Sequence, residues 1–180
     1  MLNAQPMGFY APSTLMEDAA RHGVLSLPID VNHSQWDCSL EATDIPLPLR
    51  GTKSFKQVLA VRVGYRYVKG FGAAEQHKLA HLPRPVRSIE SFVKQSQLSL
   101  RALVALAEAG GFDSLGMTRR EALWRVRAAA RGARDAFTAE PGGEAPLLAT
   151  LALPEEVLWD YRASEHSTRG HPMTPLRPWL

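Results

Sequence analysis

The 180-residue chain lacks the features that mark secreted and membrane proteins. It has a single cysteine, Cys38, so no disulfide can form within it, and a reducing compartment such as the cytoplasm is expected. No run of eighteen apolar residues is present, which argues against a membrane-spanning helix. The first residues have neither the basic head nor the apolar core of a signal peptide. The sequence therefore predicts a cytoplasmic protein without membrane contact.

A strong excess of one charge is also missing. The 21 lysines and arginines and the 18 acidic residues give a formal net charge of +3, which allows a polyanionic partner without requiring one. Residues 119–134 are more informative, because they hold six arginines and a single acidic residue, Glu121. The arginines are Arg119, Arg120, Arg125, Arg127, Arg131 and Arg134. A solvated helix face and a nucleic-acid contact explain this segment equally well.

Capping signals predict most of the secondary structure. Thr14 and Glu17 have the spacing of a capping box, which predicts a helix over residues 15 to about 22, ended by Gly23. Ser88 and Ser99 each precede an apolar pattern with helical spacing. The helix after Ser99 is expected to bury Leu100, Leu103, Leu106 and Ala107 on one face.

The last third of the chain carries two further helix starts. Elsewhere in the chain, the sequence gives only a few strand signals. Thr118 and Glu121 form a second capping box, and another helix is expected to start at Pro154. Residues 24–31, interrupted by Pro28, and residues 57–63 alternate like strands. Residues 44–54 and 139–146 have the proline and glycine content of a loop and a linker. The predicted fold class is mainly α with a small β element.

The most informative segment is residues 68–72, Val-Lys-Gly-Phe-Gly, which leads into a predicted helix over 73–82. Gly70 and Gly72 let the backbone turn sharply and approach another group closely. The free N–H groups and positive dipole end of the following helix form an anion site, to which Lys69 adds a mobile cation. In helix-hairpin-helix modules this arrangement holds a backbone phosphate of DNA without reading base sequence.

A looser second copy of this pattern follows. Val68 and Phe71 bracket the first turn with apolar side chains, whereas the second turn, residues 110–113, carries Asp113 and no cation. We therefore interpret the second pair of glycines as helix caps. The two hairpins together predict a compact unit of four or five helices around Leu103, Leu106, Phe112, Leu115, Leu123 and Val126.

Other clusters of reactive residue types do not form a recognised site. His77 and His81 are four residues apart but have no third metal ligand nearby in sequence, so a surface pair is the favoured interpretation. Cys38 is interpreted as a small buried thiol. The aspartates of residues 30–44 are not spaced closely enough for metal-dependent phosphoryl transfer. No catalytic centre is predicted.

Several blocks, taken in order, cover essentially the whole chain and resemble one family. They are residues 3–10, 28–32 with Trp36, 68–72, 103–115, 119–124, 160–162 and 170–172. This series resembles the bacterial family C DNA polymerases, of the DNA polymerase III alpha-subunit type, and among them the error-prone, damage-induced group. The matching part of such a polymerase is its C-terminal segment.

The resemblance implies a division of the chain into three parts. Residues 1–65 would close the fingers region with short strands, and residues 66–135 would be a tandem helix-hairpin-helix unit that binds duplex DNA. Residues 136–180 would form a linker and a helix leading toward an OB-fold outside this chain. One departure is that Ala73-Ala74-Glu75 and two prolines follow the first turn, where the family has a longer basic helix.

The resemblance also implies the partners and the role. The carboxylates that bind Mg²⁺ and catalyse nucleotide addition would lie upstream of Met1, so this chain alone is not expected to polymerise DNA or to hold a cofactor. The expected partners are a primer-template duplex, the remainder of the polymerase and other proteins of a mutagenic complex. The expected role is error-prone synthesis in DNA repair and across damage.

The residues predicted to bind DNA come from the motif and from the arginine-rich segment. They are Lys69, Gly70, Phe71, Gly72, Ala73, Arg119, Arg120 and Arg127. The three arginines are chosen for charge density and not for any motif. The alternative prediction is a helical protein-interaction or structural module that makes no contact with DNA.

Overall fold

The computed structural model describes residues 1–43, 58–132 and 148–174. These parts contain six helices and a three-stranded sheet, which confirms a mainly helical fold with a small β element. The helices are α1 (Pro12–Arg21), α2 (Ala73–Ala80), α3 (Ile89–Ser96), α4 (Leu100–Glu108), α5 (Arg119–Gly132) and α6 (Leu153–Ser164). The strands are β1 (Leu25–Leu27), β2 (Ser39–Thr43) and β3 (Val58–Arg62). The loop and linker predicted at 44–54 and 139–146, together with Arg134, lie outside the described residues.

The sheet has the order β1-β3-β2, with β1 parallel and β2 antiparallel to the central strand. Leu25 pairs with Ala60 and Leu40 pairs with Val61. Strand β2 was not predicted from the sequence. Its Leu40 is 67% exposed, so no buried apolar face marks the strand in the alternation of residue types.

The first helix begins earlier than its sequence predicts. Pro12 takes the first helical position, where its fixed φ and missing N–H cost nothing, and no side chain caps this end. The capping box predicted from Thr14 and Glu17 is therefore wrong. The predicted end of the helix is confirmed, because Gly23 follows it with a φ of +80°.

The three other predicted caps are present. The side-chain oxygens of Ser88, Ser99 and Thr118 accept hydrogen bonds from the N–H three residues further on, at 3.1, 3.2 and 3.2 Å. Each bond satisfies one of the free donors at a helix start. At the third cap, the Glu121 carboxylate bonds to Arg125 at 3.0 Å, so the reciprocal half of the capping box is replaced by an i,i+4 ion pair.

One cluster of buried apolar side chains extends from α1 to α6. Its largest fully buried members include Tyr65, Ile89, Phe92, Leu103, Leu106 and Phe112. The rings of Phe92 and Phe112 meet edge to face, 5.2 Å apart. Leu100, which was expected to be buried with Leu103 and Leu106, is 38% exposed because it lies on the outer side of the first turn of α4. The division of the chain into three parts, with boundaries at residues 65 and 135, stays a prediction.

The loop after β1 joins the sheet to the helical part. The Val31 N–H donates to the Gly111 carbonyl oxygen at 2.8 Å. The Asn32 amide bonds the backbone of Val86 in both directions, at 2.7 and 3.2 Å. These bonds fix the connection before α3 and the turn after α4 against the same loop, so the two hairpins have defined positions relative to the sheet.

Candidate nucleic-acid interface

The first hairpin turn is anchored on its inner side and open on its outer side. Val68 is 2% exposed, and its N–H donates to the Tyr65 carbonyl oxygen at 2.9 Å. Phe71 is half-buried and donates its N–H to the Val68 carbonyl oxygen at 3.1 Å. Gly70 has a φ of +82°, which favours glycine, and a Cβ there would meet nothing within 4 Å. The space in front of the turn is therefore free for a ligand.

The C-terminal end of α6 braces this turn, a contact that the sequence did not predict. The backbone N–H of Lys69 donates to the Ala163 carbonyl oxygen at 2.8 Å. The Lys69 ammonium lies 3.5 Å from the Glu165 carboxylate, and both side chains are more than half exposed, at 51% and 68%. Exposed pairs of this kind are weak, so the ammonium is free to move toward a phosphate while its backbone stays fixed.

At the N-terminus of α2, a carboxylate of the chain itself, that of Glu75, already accepts a hydrogen bond. The Gly72 N–H donates to Glu75 Oε2 at 2.9 Å. This is the donor that the motif offers to a phosphate, so a bound phosphate and the Glu75 carboxylate would compete for it. Gly72 has an extended φ of −149°, and therefore the sharp turn depends on Gly70 and not on Gly72.

A cleft of about 470 Å³ opens between the turn and the exposed face of α4. Lys69 and Gly70 line one side of this cleft, called the Lys69 cleft below, and Arg101, Val104 and the acidic Glu108 line the other. Arg101 is exposed and has no ion pair within the described parts of the chain. Arg101 was not predicted from the sequence, because a single arginine between apolar residues gives no charge cluster. Its position just after the Ser99 cap is the signal that could have drawn attention to it.

Arg119 is not available for the predicted contact with DNA. Its side chain is 2% exposed, and its Nη2 lies 2.5 Å from Asp160 Oδ1 on α6. Its Nη1 donates to the carbonyl oxygens of Glu108 and Glu156 at 3.3 and 3.2 Å. The charge density of the segment hides this role, because the carboxylate partner lies 41 residues further along the chain.

The other two predicted arginines are at the surface but away from the Lys69 cleft. Arg120 donates to the Ala149 carbonyl oxygen at 3.2 Å and lies 4.0 Å from the Glu155 carboxylate. Arg127 is exposed and has no ion pair among the described residues. Neither lines the cleft with Lys69 and Arg101. Their contact with DNA stays a prediction, as does that of the motif residues, Ala73 included.

The second hairpin turn is used inside the fold. A Cβ on Gly110 would lie 3.0 Å from the Arg119 guanidinium, and a Cβ on Gly111 would lie 2.6 Å from Leu106 Cδ1. Asp113 accepts a hydrogen bond from Arg169 at 2.6 Å. Burial raises the pKa of the Asp113 carboxyl, although Arg169 acts in the opposite direction. These contacts give the second pair of glycines a packing role.

The remaining candidate clusters do not form a metal or nucleophile site. The rings of His77, on α2, and His81, which follows the helix, lie 5.2 Å apart, and both residues are exposed. Within residues 1–43, 58–132 and 148–174, no three histidine, cysteine or acidic side chains are placed to hold a metal ion. Cys38 is partly buried, and this burial raises the pKa of its thiol. In the same parts of the chain, no helix has the length and apolar content to cross a bilayer.

His166 lies behind the first hairpin and is 3% exposed. Its ring meets the ring of Tyr67 edge to face at 5.3 Å, and its Nδ1 lies 2.7 Å from the Ser164 carbonyl oxygen. Burial lowers the pKa of His166, against the opposing effects of the Ser164 carbonyl, Asp160 and Glu165. The neutral imidazole is therefore the form that fits the fold.

We expect the free energy of unfolding to decrease as the pH falls through about 6.5, the ordinary pKa of histidine in an unfolded chain. There the unfolded chain binds a proton that folded His166 does not, with a slope of at most about 1.4 kcal/mol per pH unit. Urea titrations across this range should show a flatter profile for His166→Gln than for the parent chain. His33→Gln, at an exposed position, is the matched control. An unchanged profile for His166→Gln would contradict this role.

A family model described as the helix-hairpin-helix motif matches residues 23–122. This range includes the braced turn at Lys69 and Gly70 and the second turn after α4. The chain belongs to the helix-hairpin-helix family.

Curated relatives identify the kind of protein in which this unit occurs. An error-prone DNA polymerase of Methylococcus capsulatus is 44% identical over 191 residues, which cover 100% of this chain and 18% of the relative. Error-prone DNA polymerases of Aromatoleum aromaticum and Brucella abortus are 41% and 38% identical, again over 100% of this chain and 16% of their own length. The chain thus spans less than a fifth of the relatives that it matches. The resemblance named from the sequence is confirmed.

Proposed function

We propose that this chain binds the sugar-phosphate backbone of duplex DNA without reading base sequence. The observation that carries the proposal is the first hairpin turn, where Gly70 holds a positive φ beside the exposed ammonium of Lys69. The turn opens onto a cleft whose opposite side presents Arg101. The two cations outnumber the single acidic residue that lines the cleft, Glu108, so the cleft and its backbone turn fit a phosphate. No base-reading element is needed for that contact.

In the wider setting, the chain acts as part of an error-prone DNA-directed DNA polymerase. The names of the relatives support this proposal, together with the motif that they share with the chain. Partners would be the primer-template duplex and the remainder of the polymerase, in which Mg²⁺-dependent nucleotide addition would take place. DNA repair, synthesis across damage and contacts with other mutagenic proteins are the finer parts of the same proposal.

The test is binding of the purified chain to a fluorescent primer-template duplex at increasing salt concentration. We expect micromolar affinity that falls steeply, with a slope of about −0.9 for each phosphate contact on a log-log plot. The double variant Lys69→Gln with Arg101→Gln should weaken binding about threefold to tenfold. It should also make the log-log slope shallower by nearly the amount expected for two phosphate contacts. Arg21→Gln, which removes an exposed arginine of α1 paired with Glu17, is the control and should bind like the parent.

Salt-independent binding, or none, by the folded chain would overturn the proposal. It would favour the alternative of a helical interaction module, because docking between apolar surfaces does not release counterions. A double variant that binds like the parent would show instead that DNA is held elsewhere on the chain.

A further inference from the structure

A second cleft, here called the Trp36 cleft, lies between α2 and the loop that carries Gln35 and Trp36. It has a volume of about 470 Å³. Its polar and aromatic lining consists of Gln35, Trp36, Tyr65, Gln76 and Arg84, above the apolar Leu79 and Leu82. None of the residues that line it is acidic. The phosphate-binding proposal above makes no use of this cleft.

Arg84 is held in place without a carboxylate partner. Its Nη2 donates to the Ser34 carbonyl oxygen at 2.5 Å, its Nη1 donates to the Asn32 carbonyl oxygen at 3.5 Å, and Arg84 is an exposed residue. It has no ion pair among the residues that the structure describes. A guanidinium that is oriented by a carbonyl group and has its charge uncompensated is prepared for an anion or for stacking on a planar group.

The walls of the cleft are equally well defined. Tyr65 is 1% exposed, and the carbonyl oxygens of Asp30 and Val31, both at 3.2 Å, share the single proton of its hydroxyl. Trp36 is partly buried and packs against the core, so its indole is fixed while part of it faces the cleft. The loop that carries Trp36 is fixed in turn, because the Tyr65 N–H donates to the Gln35 carbonyl oxygen at 2.9 Å.

The chemistry of this lining fits a nucleotide with an exposed base. An indole offers a stacking surface that accepts any base. The primary amides of Gln35 and Gln76 each offer donors and an acceptor for the polar edge of a base. The Arg84 guanidinium suits the attached phosphate. The volume lies within the range of small-ligand clefts. A base inside a duplex is covered on both faces, so only an unpaired base can enter.

We propose that the Trp36 cleft binds one unpaired nucleotide of a DNA strand whose duplex part is held at the Lys69 turn. This inference rests on the proposed function. It is supported by the shared helix, since Gln76 lies only about 6 Å along α2 from Gly72. One DNA molecule can therefore reach both places. The chain would then recognise a junction between duplex and single strand, and not duplex alone.

The test compares three DNA molecules bound to the full chain: a blunt duplex, the same duplex with a short thymine overhang, and that duplex with an abasic overhang. We expect the thymine overhang to raise affinity about fivefold over the blunt duplex, because one stacked base contributes an effect of this size or larger. The abasic overhang should give little of this gain. The variants Trp36→Leu and Arg84→Gln should lose the gain and keep the affinity for the blunt duplex.

Gln76→Ala keeps the test decisive if Trp36→Leu does not fold, because Gln76 is exposed and packs into no core. It should reduce the gain, whereas Gln95→Ala, an exposed amide on α3, should not. Free thymidine monophosphate serves as a separate probe. Tight binding of this nucleotide at the Trp36 cleft would mean that the cleft takes free nucleotides and would overturn the assignment to a strand.

Equal gains from the thymine and abasic overhangs would show that charge alone holds the overhang, and the proposal would be wrong. No gain from either overhang would also overturn it and would leave a protein segment as the occupant of the cleft. Failure of the proposed function has a different signature, because the blunt duplex would then show no salt-dependent binding.

Discussion

Replacing Arg119 by methionine is expected to lower the free energy of unfolding by about 3–5 kcal/mol. The guanidinium and its partner Asp160 are 2% and 9% exposed, and the two groups join α5 to α6. Removal of the cation leaves a buried carboxylate without its main counter-charge, which costs more than the ion pair itself contributed. The carbonyl groups of Glu108 and Glu156 would lose their donor in the same step.

Urea-induced unfolding measures this effect, and the chain offers a close control. Arg120 lies in the same first turn of α5, but its side chain is 38% exposed and the Glu155 carboxylate oxygen is 4.0 Å away. Arg120→Met should therefore cost less than about 1 kcal/mol. Equal and small losses for the two variants would show that the buried pair does not hold α6 in place.

The contrast between these neighbouring arginines shows what the sequence can and cannot reveal. Charge density depends only on composition, so residues 119–134 could be recognised as basic at once. The role of each arginine depends on what α6 brings to it, and that contact joins residues 41 positions apart. No local pattern records such a partner. The same reason explains why the brace between Lys69 and Ala163 was not predicted.

Local chemistry, by contrast, was predictable. The caps at Ser88, Ser99 and Thr118 depend on a hydroxyl and the N–H three residues later, and all three form. The turn at Gly70 depends on one backbone conformation, and its positive φ is present. The capping box at Thr14 failed because Pro12 started the helix sooner. Strand β2 was missed because its apolar side chains face outward, as Leu40 does.

For the candidate site, the sequence identified one side of the Lys69 cleft but not the other. Lys69 and Gly70 belong to a contiguous motif, whereas Arg101 reaches the same cleft only because α4 packs beside the turn. The Trp36 cleft is a stronger case of the same effect. Its residues come from three separate stretches of the chain, and none of these stretches has a binding motif of its own.

Glu75 belongs to the segment that departs from the family pattern, and its carboxylate is expected to weaken DNA binding. Its carboxylate accepts the Gly72 N–H at 2.9 Å, at the end of α2 where a phosphate would bind. Replacing Glu75 by alanine is expected to raise affinity for duplex DNA about tenfold at low salt. A unit charge about 5 Å from a phosphate near the protein surface opposes binding by roughly 1–2 kcal/mol. The variant also frees the N–H donor.

Binding curves of the parent chain, Glu75→Ala and Glu75→Gln separate the effect of removing the charge from the effect of freeing the Gly72 N–H. Glu75→Gln keeps an acceptor for the Gly72 N–H but removes the charge, so it should give part of the gain, and that part should fade as salt rises. Glu90→Gln makes the same change in the exposed first turn of α3 and should leave affinity unchanged. If Glu75→Ala binds duplex no better than the parent while it stays folded, the end of α2 does not meet a phosphate. The contact would then belong to Lys69 and Arg101 alone.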